Sequence, residues 1–256
     1  MEHMKYIESK KNDEIKQLKK LSATKNIRKT GTYMIEGFHL VREADQYEQK
    51  FLKLFVTENY ADDRLVKKYY DIATTVSEDV AEEMSETKTP QGIFAVIKVA
   101  DVEDSPKLSG KWVILDDVQD PGNVGTIVRT ADAAGFDGVI TSLNSADTYQ
   151  PKVQRSMQGS QFHLPIYRMD IKKAIKLAQD SSMKVYGSEV DKNAKPYNKL
   201  AKADDFALIM GNEAHGVSRE VLVNCDENIY IPILGKAESL NVAVAAGVLM
   251  YGLQSL

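Results

Sequence analysis

The feature that most constrains the fold is a regular alternation of short apolar runs and helical stretches in the second half of the chain. The helical stretches include 123–135, 171–179 and 240–253. The last of these is apolar all round, so we expect it to be buried on all sides. Strands that alternate with helices indicate a parallel sheet covered on both faces, and therefore an α/β fold. The predicted strands are 112–115, 138–142, 164–167, 184–187, 206–210 and 229–234.

The first hundred residues show a different pattern, in which short helices and strands are mixed. The stretch 101–110 then has acids, Pro, Ser and Gly but no apolar period, which is typical of a linker. We therefore expect a small α/β domain over 1–100 and a larger domain over 111–256. The elements predicted in the small domain are helices over 12–21, 36–47 and 77–86, the last capped by Ser77, and strands over 51–57, 72–76 and 92–99.

Composition excludes several classes of protein. Of the 256 residues, 43% are hydrophobic, which is enough for a large core and argues against a disordered chain. The longest apolar run, 242–250, is shorter than the ~20 residues that a membrane span needs. The single cysteine, Cys225, excludes an internal disulfide framework and a cysteine zinc site, and the four histidines lack metal spacing. We therefore expect no metal. The single cysteine and the lack of an apolar leader predict a cytoplasmic protein. The absence of nucleotide-binding glycine motifs argues against a dinucleotide-binding enzyme and a P-loop enzyme.

The charge of the chain is uneven. The net charge is −4, but residues 5–29 hold nine Lys or Arg and three acids, a local charge of +6. Such a segment can attract a polyanion although the whole chain is acidic. The alternative is a solvated helix face with no partner.

Three loops hold the densest clusters of Gly, Asn, Glu and Ser in the chain, and each follows a predicted strand. Ligands of parallel sheets bind beyond the carboxyl ends of the strands, so these loops are expected to form the functional site. The loops are 116–125, 210–218 and 231–241.

The first loop contains the sequence Asp-Pro-Gly-Asn, which is typical of a turn, and Asn123 is a candidate N-cap for the helix that follows. Arg129 lies off the apolar stripe of that helix. Because helical side chains lean toward the N-terminus, its guanidinium is expected near the free N–H groups, where an anion would bind. The alternative is a surface arginine paired with Asp132 or Asp117.

The other two loops offer further candidates. Gly211 and Gly216 allow close approach of the backbone, and Glu213 between them is either a capping carboxylate or a polar site residue. In the third loop Ser239 or Asn241 is expected to cap the last helix, although capping alone does not account well for both. His215 is assigned no role.

Taken in order and spacing, these loops resemble the three motifs of the SpoU (TrmH) family of RNA ribose 2′-O-methyltransferases, part of the SPOUT superfamily. The motifs are DPGNVGTIVRTADAAGFDGVI at 120–140, LIMGNEAHGVS at 208–218 and IPILGKAESLNVAVAAGVLMYG at 231–252. The stretch RSMQGSQFHLPIY at 155–167 is similar to the family's middle segment. More loosely, TYMIEGFHLVREA at 32–44 and TPQGIFAVIK at 89–98 are similar to the RNA substrate-binding domain that many members carry.

This resemblance implies properties that composition and periodicity do not show. The fold would be an α/β trefoil knot, which general topology rules disfavour. The cofactor would be S-adenosyl-L-methionine, and the protein would be a homodimer that acts on RNA. By position, the polar catalytic residues would be Asn123, Arg129, Glu213, Ser239 and Asn241, and the cofactor would bind at Gly211, Ile231 and Leu240.

Because the N-terminal domain is similar to that of rRNA-modifying members of the family, the resemblance favours ribosomal RNA, in particular 23S rRNA, over transfer RNA as the substrate. Other interpretations stay open. One is a non-catalytic RNA-binding or ribosome-assembly protein on the same fold, and another is a small-molecule enzyme on a doubly wound sheet. Within the favoured class, a specialised methyltransferase that confers resistance to a ribosome-directed antibiotic also fits. The sequence does not identify the general base or the methylated nucleotide.

Overall fold

The computed structural model describes residues 4–99, 106–191 and 193–254, and the chain divides into two compact units. The first unit comprises 1–101 together with 149–154, and the second comprises 102–148 and 155–256. Of the stretch predicted as a linker, 101–105 lies outside the described residues. Leu108, in the remainder, is buried in the core of the second unit.

The first unit is built on a mixed sheet. Among the described residues the strands lie in the order β1-β4-β3-β5-β2, with β5 antiparallel to both of its neighbours and the other pairs parallel. The elements are β1 (Lys5–Ile7), α1 (Asp13–Lys19), α2 (Thr24–Thr30), β2 (Thr32–Glu36), α3 (Phe38–Gln46), β3 (Phe51–Thr57), α4 (Arg64–Lys68), β4 (Ala73–Val76), α5 (Glu78–Met84) and β5 (Ile93–Lys98).

All six elements predicted for this unit are present, five of them with shorter ends and β3 with the predicted bounds. Ser77 caps α5 as predicted, because its hydroxyl accepts a hydrogen bond from the Val80 N–H. The predictions omitted β1, α2, β2 and α4. A local feature of the sequence determines where α2 ends. Gly31 takes the left-handed conformation (φ 63°), which ends the helix and turns the chain into β2.

The second unit is built on a parallel sheet, as the alternating pattern predicted. Its strands lie in the order β10-β12-β9-β11-β6-β7-β8, and every pair is parallel in the described residues. The elements are β6 (Lys111–Leu115), α6 (Pro121–Ala133), β7 (Gly138–Thr141), α7 (Pro151–Met157, which begins in the segment grouped with the first unit), β8 (Ile166–Arg168), α8 (Ile171–Asp180), β9 (Lys184–Ser188), β10 (Lys195–Pro196), β11 (Phe206–Met210), α9 (Arg219–Leu222), β12 (Glu227–Tyr230) and α10 (Val242–Gln254).

The central strands β6 and β11 position the functional loops. They are neighbours in register from Phe206 beside Lys111 to Met210 beside Leu115, and both strands are almost wholly buried. Because the strands are parallel and end together, the loops that follow Leu115 and Met210 leave the same edge of the sheet.

The strand predicted over 229–234 was too long. β12 ends at Tyr230, and the following residues form a loop in which Leu234 is 97% exposed. Pro232 has no N–H to donate to a neighbouring strand, which is one reason why the ladder does not continue.

The expectation that the last helix is buried on all sides was also wrong in part. α10 packs against α6 and β11, and Gly252 lies so close to the Tyr197 ring that a Cβ would approach it to 2.4 Å. The opposite face is open: Val244 is 54% exposed and Tyr251 53% exposed. The residues that the structure describes leave these apolar side chains exposed to solvent.

Candidate functional site

The loops that follow β6 and β11 are held together by hydrogen bonds at the edge of the sheet. The Asn212 side-chain amide donates to the Asp117 carbonyl at 2.8 Å, and the buried Asp116 carboxylate accepts from the Ser218 N–H at 3.2 Å. Burial raises the pKa of Asp116, and hydrogen bonds from Ser218 counteract only part of that rise. These contacts fix the two loops relative to each other.

Glycine is required where the second loop leaves its strand. A Cβ on Gly211 would lie 2.0 Å from the Val217 backbone nitrogen, because the returning loop crosses directly over it. Asn212 and Gly216 pair across this turn through two backbone hydrogen bonds, and Gly216 has a φ of 67°. The predicted close approach of the backbone is therefore present at Gly211.

Glu213, at the tip of this turn, binds the first loop through both carboxylate oxygens. Oε1 accepts hydrogen bonds from the Asp120 N–H and from the Asn123 side-chain amide, each at 3.0 Å. Oε2 accepts from the Gln119 N–H at 3.1 Å. Partial burial raises the pKa of Glu213, but hydrogen bonds from Asn123, Asp120 and Gln119 outweigh that effect and hold the pKa below its usual value. The carboxylate is thus kept ionised.

Asn123 connects this contact to the third loop. Its Oδ1 accepts a hydrogen bond from the Asn241 side-chain amide at 3.1 Å, while its own amide donates to Glu213. Asn241 Oδ1 caps α10 by accepting from the Ala243 and Val244 N–H groups. The result is a chain of side chains, Glu213–Asn123–Asn241, that joins the three predicted loops.

The predicted cap of α6 was wrong. The helix begins at Pro121, and Asp120 is the N-cap, with its carboxylate accepting from the Asn123 N–H at 2.9 Å. An Asp followed by Pro is a favourable start, since Pro is tolerated in the first turn. Asn123 therefore lies inside the first turn, and its side chain is available to bridge the other two loops.

Arg129 and Ser239 are placed differently from the bridging residues. Both are exposed, and within the described part of the chain neither side chain has a hydrogen bond or ion pair. Neither Asp117 nor Asp132 pairs with Arg129: Asp117 binds Ser142 and Asn144, and Asp132 binds His163. The guanidinium is thus available to a ligand.

A pocket of about 890 Å³ opens beside the bridge. Residues from the ends of β9, β11 and β12 line it, and the start of α10 closes one side. Among the predicted positions it includes Gly211, Glu213, Ile231, Ser239, Leu240 and Asn241. Asn123 and Arg129 are not among its lining residues.

The wall formed by 231–240 has an unusual backbone. Within the described residues, no backbone N–H or C=O of this stretch forms a hydrogen bond with another backbone group. Buried Met210, Ile229 and Leu249 form the apolar part of the pocket. Free amide edges next to apolar side chains suit a flat heteroaromatic ring that carries donors and acceptors.

Sequence reasoning did not assign roles to Asp116, Asp117 and Asn212, which hold the first two loops together. A signal was present for each of them. The two aspartates directly follow a buried strand, and Asn212 follows the glycine on which the second loop turns. What the sequence lacked was the register that brings the carboxyl ends of β6 and β11 side by side.

Two further structural features are absent over residues 4–99, 106–191 and 193–254. None of the helices there is long and apolar enough to cross a bilayer. No group of three or more His, Cys, Asp or Glu side chains in the same residues is arranged as a metal site.

Comparison with known proteins shows what the chain resembles as a whole. The SpoU rRNA Methylase family model matches residues 111–251, and the MRM3-like substrate binding domain model matches 12–95. The 23S rRNA (guanosine(2553)-2′-O)-methyltransferase RlmP of Bacillus subtilis is 41% identical, with 98% of this chain and 100% of that protein covered. A putative TrmH family tRNA/rRNA methyltransferase of Staphylococcus haemolyticus is 32% identical over 85% of this chain and 93% of its own length.

A solved structure has a similar fold. The AdoMet-bound rRNA methyltransferase from Sinorhizobium meliloti superposes with a TM-score of 0.90 over 98% of both chains, at 27% identity. This match confirms the predicted fold class, a SPOUT-type α/β domain with a parallel sheet and an additional N-terminal domain. The three motifs, the bridge that joins them and these matches lead to one assignment: the chain belongs to the SpoU rRNA methylase family.

Proposed function

We propose that this protein transfers a methyl group from S-adenosyl-L-methionine to a ribose 2′-hydroxyl of 23S ribosomal RNA in the cytoplasm. The observation that carries the proposal is the Glu213–Asn123–Asn241 bridge at the edge of a pocket whose wall presents unbonded backbone groups. The RlmP relative, whose name specifies this reaction on 23S rRNA, supports the choice of substrate. Transfer RNA is the alternative substrate, since TrmH-type relatives are named for both RNAs.

The pocket fits the cofactor in both shape and charge. The free backbone of 231–240, together with the side chains of Leu240 and Leu249 in the pocket lining, would hold the adenine ring. The described lining contains the carboxylates of Glu189, Asp191, Glu213 and Glu238 and no Lys or Arg. That charge suits a ligand with a net positive charge. The cofactor, when bound, supplies an electrophilic methyl group on a sulfonium centre.

The bridge would serve to position the three loops around the transferred group. Glu213 holds the start of α6, Asn241 holds the start of α10, and Asn123 lies between them. In-line transfer depends on holding the attacking oxygen and the methyl carbon at a fixed distance and angle, and such positioning can lower the activation barrier by several kcal/mol. A rigid hydrogen-bonded bridge meets that need.

Arg129 is proposed to act on the RNA itself. A developing alkoxide at the 2′ position needs a donor or a positive charge, and an adjacent phosphate needs the same. The exposed guanidinium of Arg129 has no partner among the described residues and can provide both contacts. Because a guanidinium stays protonated in proteins, Arg129 acts as a donor and not as the base. Ser239, also unpartnered in that part of the chain, is placed to donate to the cofactor or to the ribose.

A direct assay tests this function. Full-length protein is incubated with methyl-labelled S-adenosylmethionine and, in parallel, unmodified large-subunit rRNA, small-subunit rRNA and bulk tRNA. We expect label in large-subunit rRNA alone and at a ribose oxygen, with Arg129→Ala and Asn241→Ala as inactive controls. Label in tRNA alone would select the alternative substrate. Cofactor binding with no transfer to any of the RNAs, including assembly intermediates, would favour a non-catalytic binding protein.

The basic segment at 5–29 divides into two groups in the structure. Lys5, Lys10 and Lys16 form ion pairs with Glu14, Asp79 and Asp13, and Lys19 pairs with Glu83. Lys20, Lys25 and Lys29 are exposed and have no ion-pair partner among the described residues. We propose that this second group, on and just before α2, holds the RNA backbone.

Replacing Lys20, Lys25 and Lys29 by Gln is expected to reduce the salt dependence of RNA binding. Each phosphate contact contributes ~0.7–0.9 to the slope of log K against log salt, so the slope should fall by about 2. Filter binding of an rRNA fragment between low and moderate salt measures it. The matched control replaces Lys5, Lys10 and Lys16, which removes the same charge from paired positions. Equal changes in slope for the two triple variants would contradict the assignment.

We also propose that the open face of α10 binds a second copy of the chain. Val244, Val248 and Tyr251 follow one another at helical spacing, and all three are partly or largely exposed. They form an apolar stripe on a helix that begins at Asn241 in the bridge, so a partner there would lie close to the site. A homodimer is the simplest occupant, because a twofold axis lets the same stripe cover itself.

Light scattering after size-exclusion chromatography tests the dimer. The wild-type protein is expected at twice the 28.6 kDa mass of the chain, and the double variant Val244→Glu/Val248→Glu at the monomer mass. The matched control is Val223→Glu, which places a charge at a 71% exposed valine elsewhere in the same unit and should stay dimeric. A monomeric wild type, or a dimeric double variant, would exclude this interface.

A further inference from the structure

A carboxylate at the end of β9 has no role in the bridge. Glu189 follows Ser188, the last residue of that strand, and its N–H donates to the Ile229 carbonyl of β12 at 2.9 Å. It is half-buried and lines the pocket. Its position is therefore fixed by two strands of the sheet and does not depend on an exposed loop.

The surroundings of Glu189 are negative and poor in donors. Among the described residues, which omit Lys192, its side chain accepts no hydrogen bond and forms no ion pair. Burial, and then the nearby charge of Asp191, raise the pKa of Glu189. Glu213 differs, because three N–H donors satisfy its oxygens. A half-buried carboxylate without donors is costly and gains most from a ligand that brings a donor or a positive charge.

We propose that Glu189 binds the positively charged methionine portion of S-adenosylmethionine and thereby sets the preference of the site for the charged cofactor. The inference rests on the proposed function. The methionine portion carries an ammonium and a sulfonium against one carboxylate, whereas the adenosine portion is neutral. Both Glu189 and Asp191 line the pocket, and two adjacent negative charges favour a cation over a pair of ribose hydroxyls.

Isothermal titration calorimetry on the full-length protein can separate the two portions of the cofactor. The probes are S-adenosylmethionine and 5′-methylthioadenosine, which keeps the adenosine and the sulfur but carries no charge. Glu189→Gln is expected to raise the Kd for S-adenosylmethionine about tenfold and to change that for 5′-methylthioadenosine less than about twofold. Glu189→Asp, which keeps the charge, should restore most of the affinity and shows that any loss is not due to misfolding.

Glu220→Gln is the matched control, since it removes the same charge on α9, outside the pocket lining. Its affinity for both probes should equal that of the wild type. Equal losses for both probes in Glu189→Gln would overturn the inference, because they would place the carboxylate on the ribose. Unchanged binding of S-adenosylmethionine would overturn it as well. If the wild type binds neither probe, the proposed function itself fails, and that result is distinct from either of the others.

Discussion

Replacing Arg129 by Lys is expected to lower kcat for RNA methylation by about 100- to 1000-fold, with no loss of stability. The loss follows because a lysine ammonium keeps the charge but not the planar pair of donors that can bind an alkoxide and a phosphate together. Stability should change by less than about 0.5 kcal/mol, because Arg129 is exposed and has no partner among the described residues. Single-turnover methyl transfer and urea unfolding measure the two quantities.

The matched control for this prediction is Arg219→Lys. Arg219 is also an exposed arginine of the second unit, at the first residue of α9, and it does not line the pocket. Its variant should keep kcat within about twofold of the wild type. A near-normal kcat in Arg129→Lys would rule out recognition through two donors, and a parallel fall in both variants would point to general loss of RNA affinity. Measuring at saturating RNA separates these cases.

Glu213→Gln is expected to reduce both activity and stability, in contrast to Arg129→Lys. A glutamine has one acceptor oxygen where the carboxylate has two, and its NH2 group would face an N–H donor of the first loop. Because the carboxylate is partly solvent-accessible, the expected loss of unfolding free energy is only about 1 kcal/mol. The loss of kcat is expected to reach about 100-fold, since the displaced first loop contains Asn123 and leads into α6, which carries Arg129.

The acid dependence of stability provides an independent readout of the Glu213 contact. Its pKa is held below the usual value in the folded protein, so the carboxylate contributes stability that is fully present above the unfolded pKa of ~4.3. That contribution is lost as the pH falls through the lower folded pKa. The difference in unfolding free energy between the wild type and Glu213→Gln should therefore be constant near neutral pH and shrink below about pH 4.

A double-mutant cycle shows whether the bridge acts as a unit. Asn123 binds Glu213 on one side and Asn241 on the other, so its removal breaks both contacts. If the bridge positions the loops, Asn123→Ala combined with Glu213→Gln should lose little more activity than either single change. Fully additive losses would mean that the two residues act separately and that the hydrogen bond between them does not contribute to activity. Asn144→Ala, a polar residue of the same unit outside the bridge, serves as the additive control.

The sequence by itself determined the class of fold and the parts of the candidate site. The periodicity of 206–210 and 112–115 predicted buried strands, and both are neighbouring strands of a parallel sheet. Three motifs in order, each after a strand, predicted that the loops would meet at the carboxyl edge. These features can be predicted from the sequence because hydrophobic alternation and turn formation depend on residues that are close together in the chain.

The tertiary structure decided which of the candidate residues touch each other. Asn123 was expected to cap a helix, but Asp120 takes that role and leaves Asn123 to join Glu213 with Asn241, 118 residues away along the chain. The open face of α10 was also invisible in its composition, because an all-apolar helix gives no sign of which side lacks a neighbour. Contacts of this kind depend on strand register and helix packing, and these are set by the whole fold and not by any local pattern.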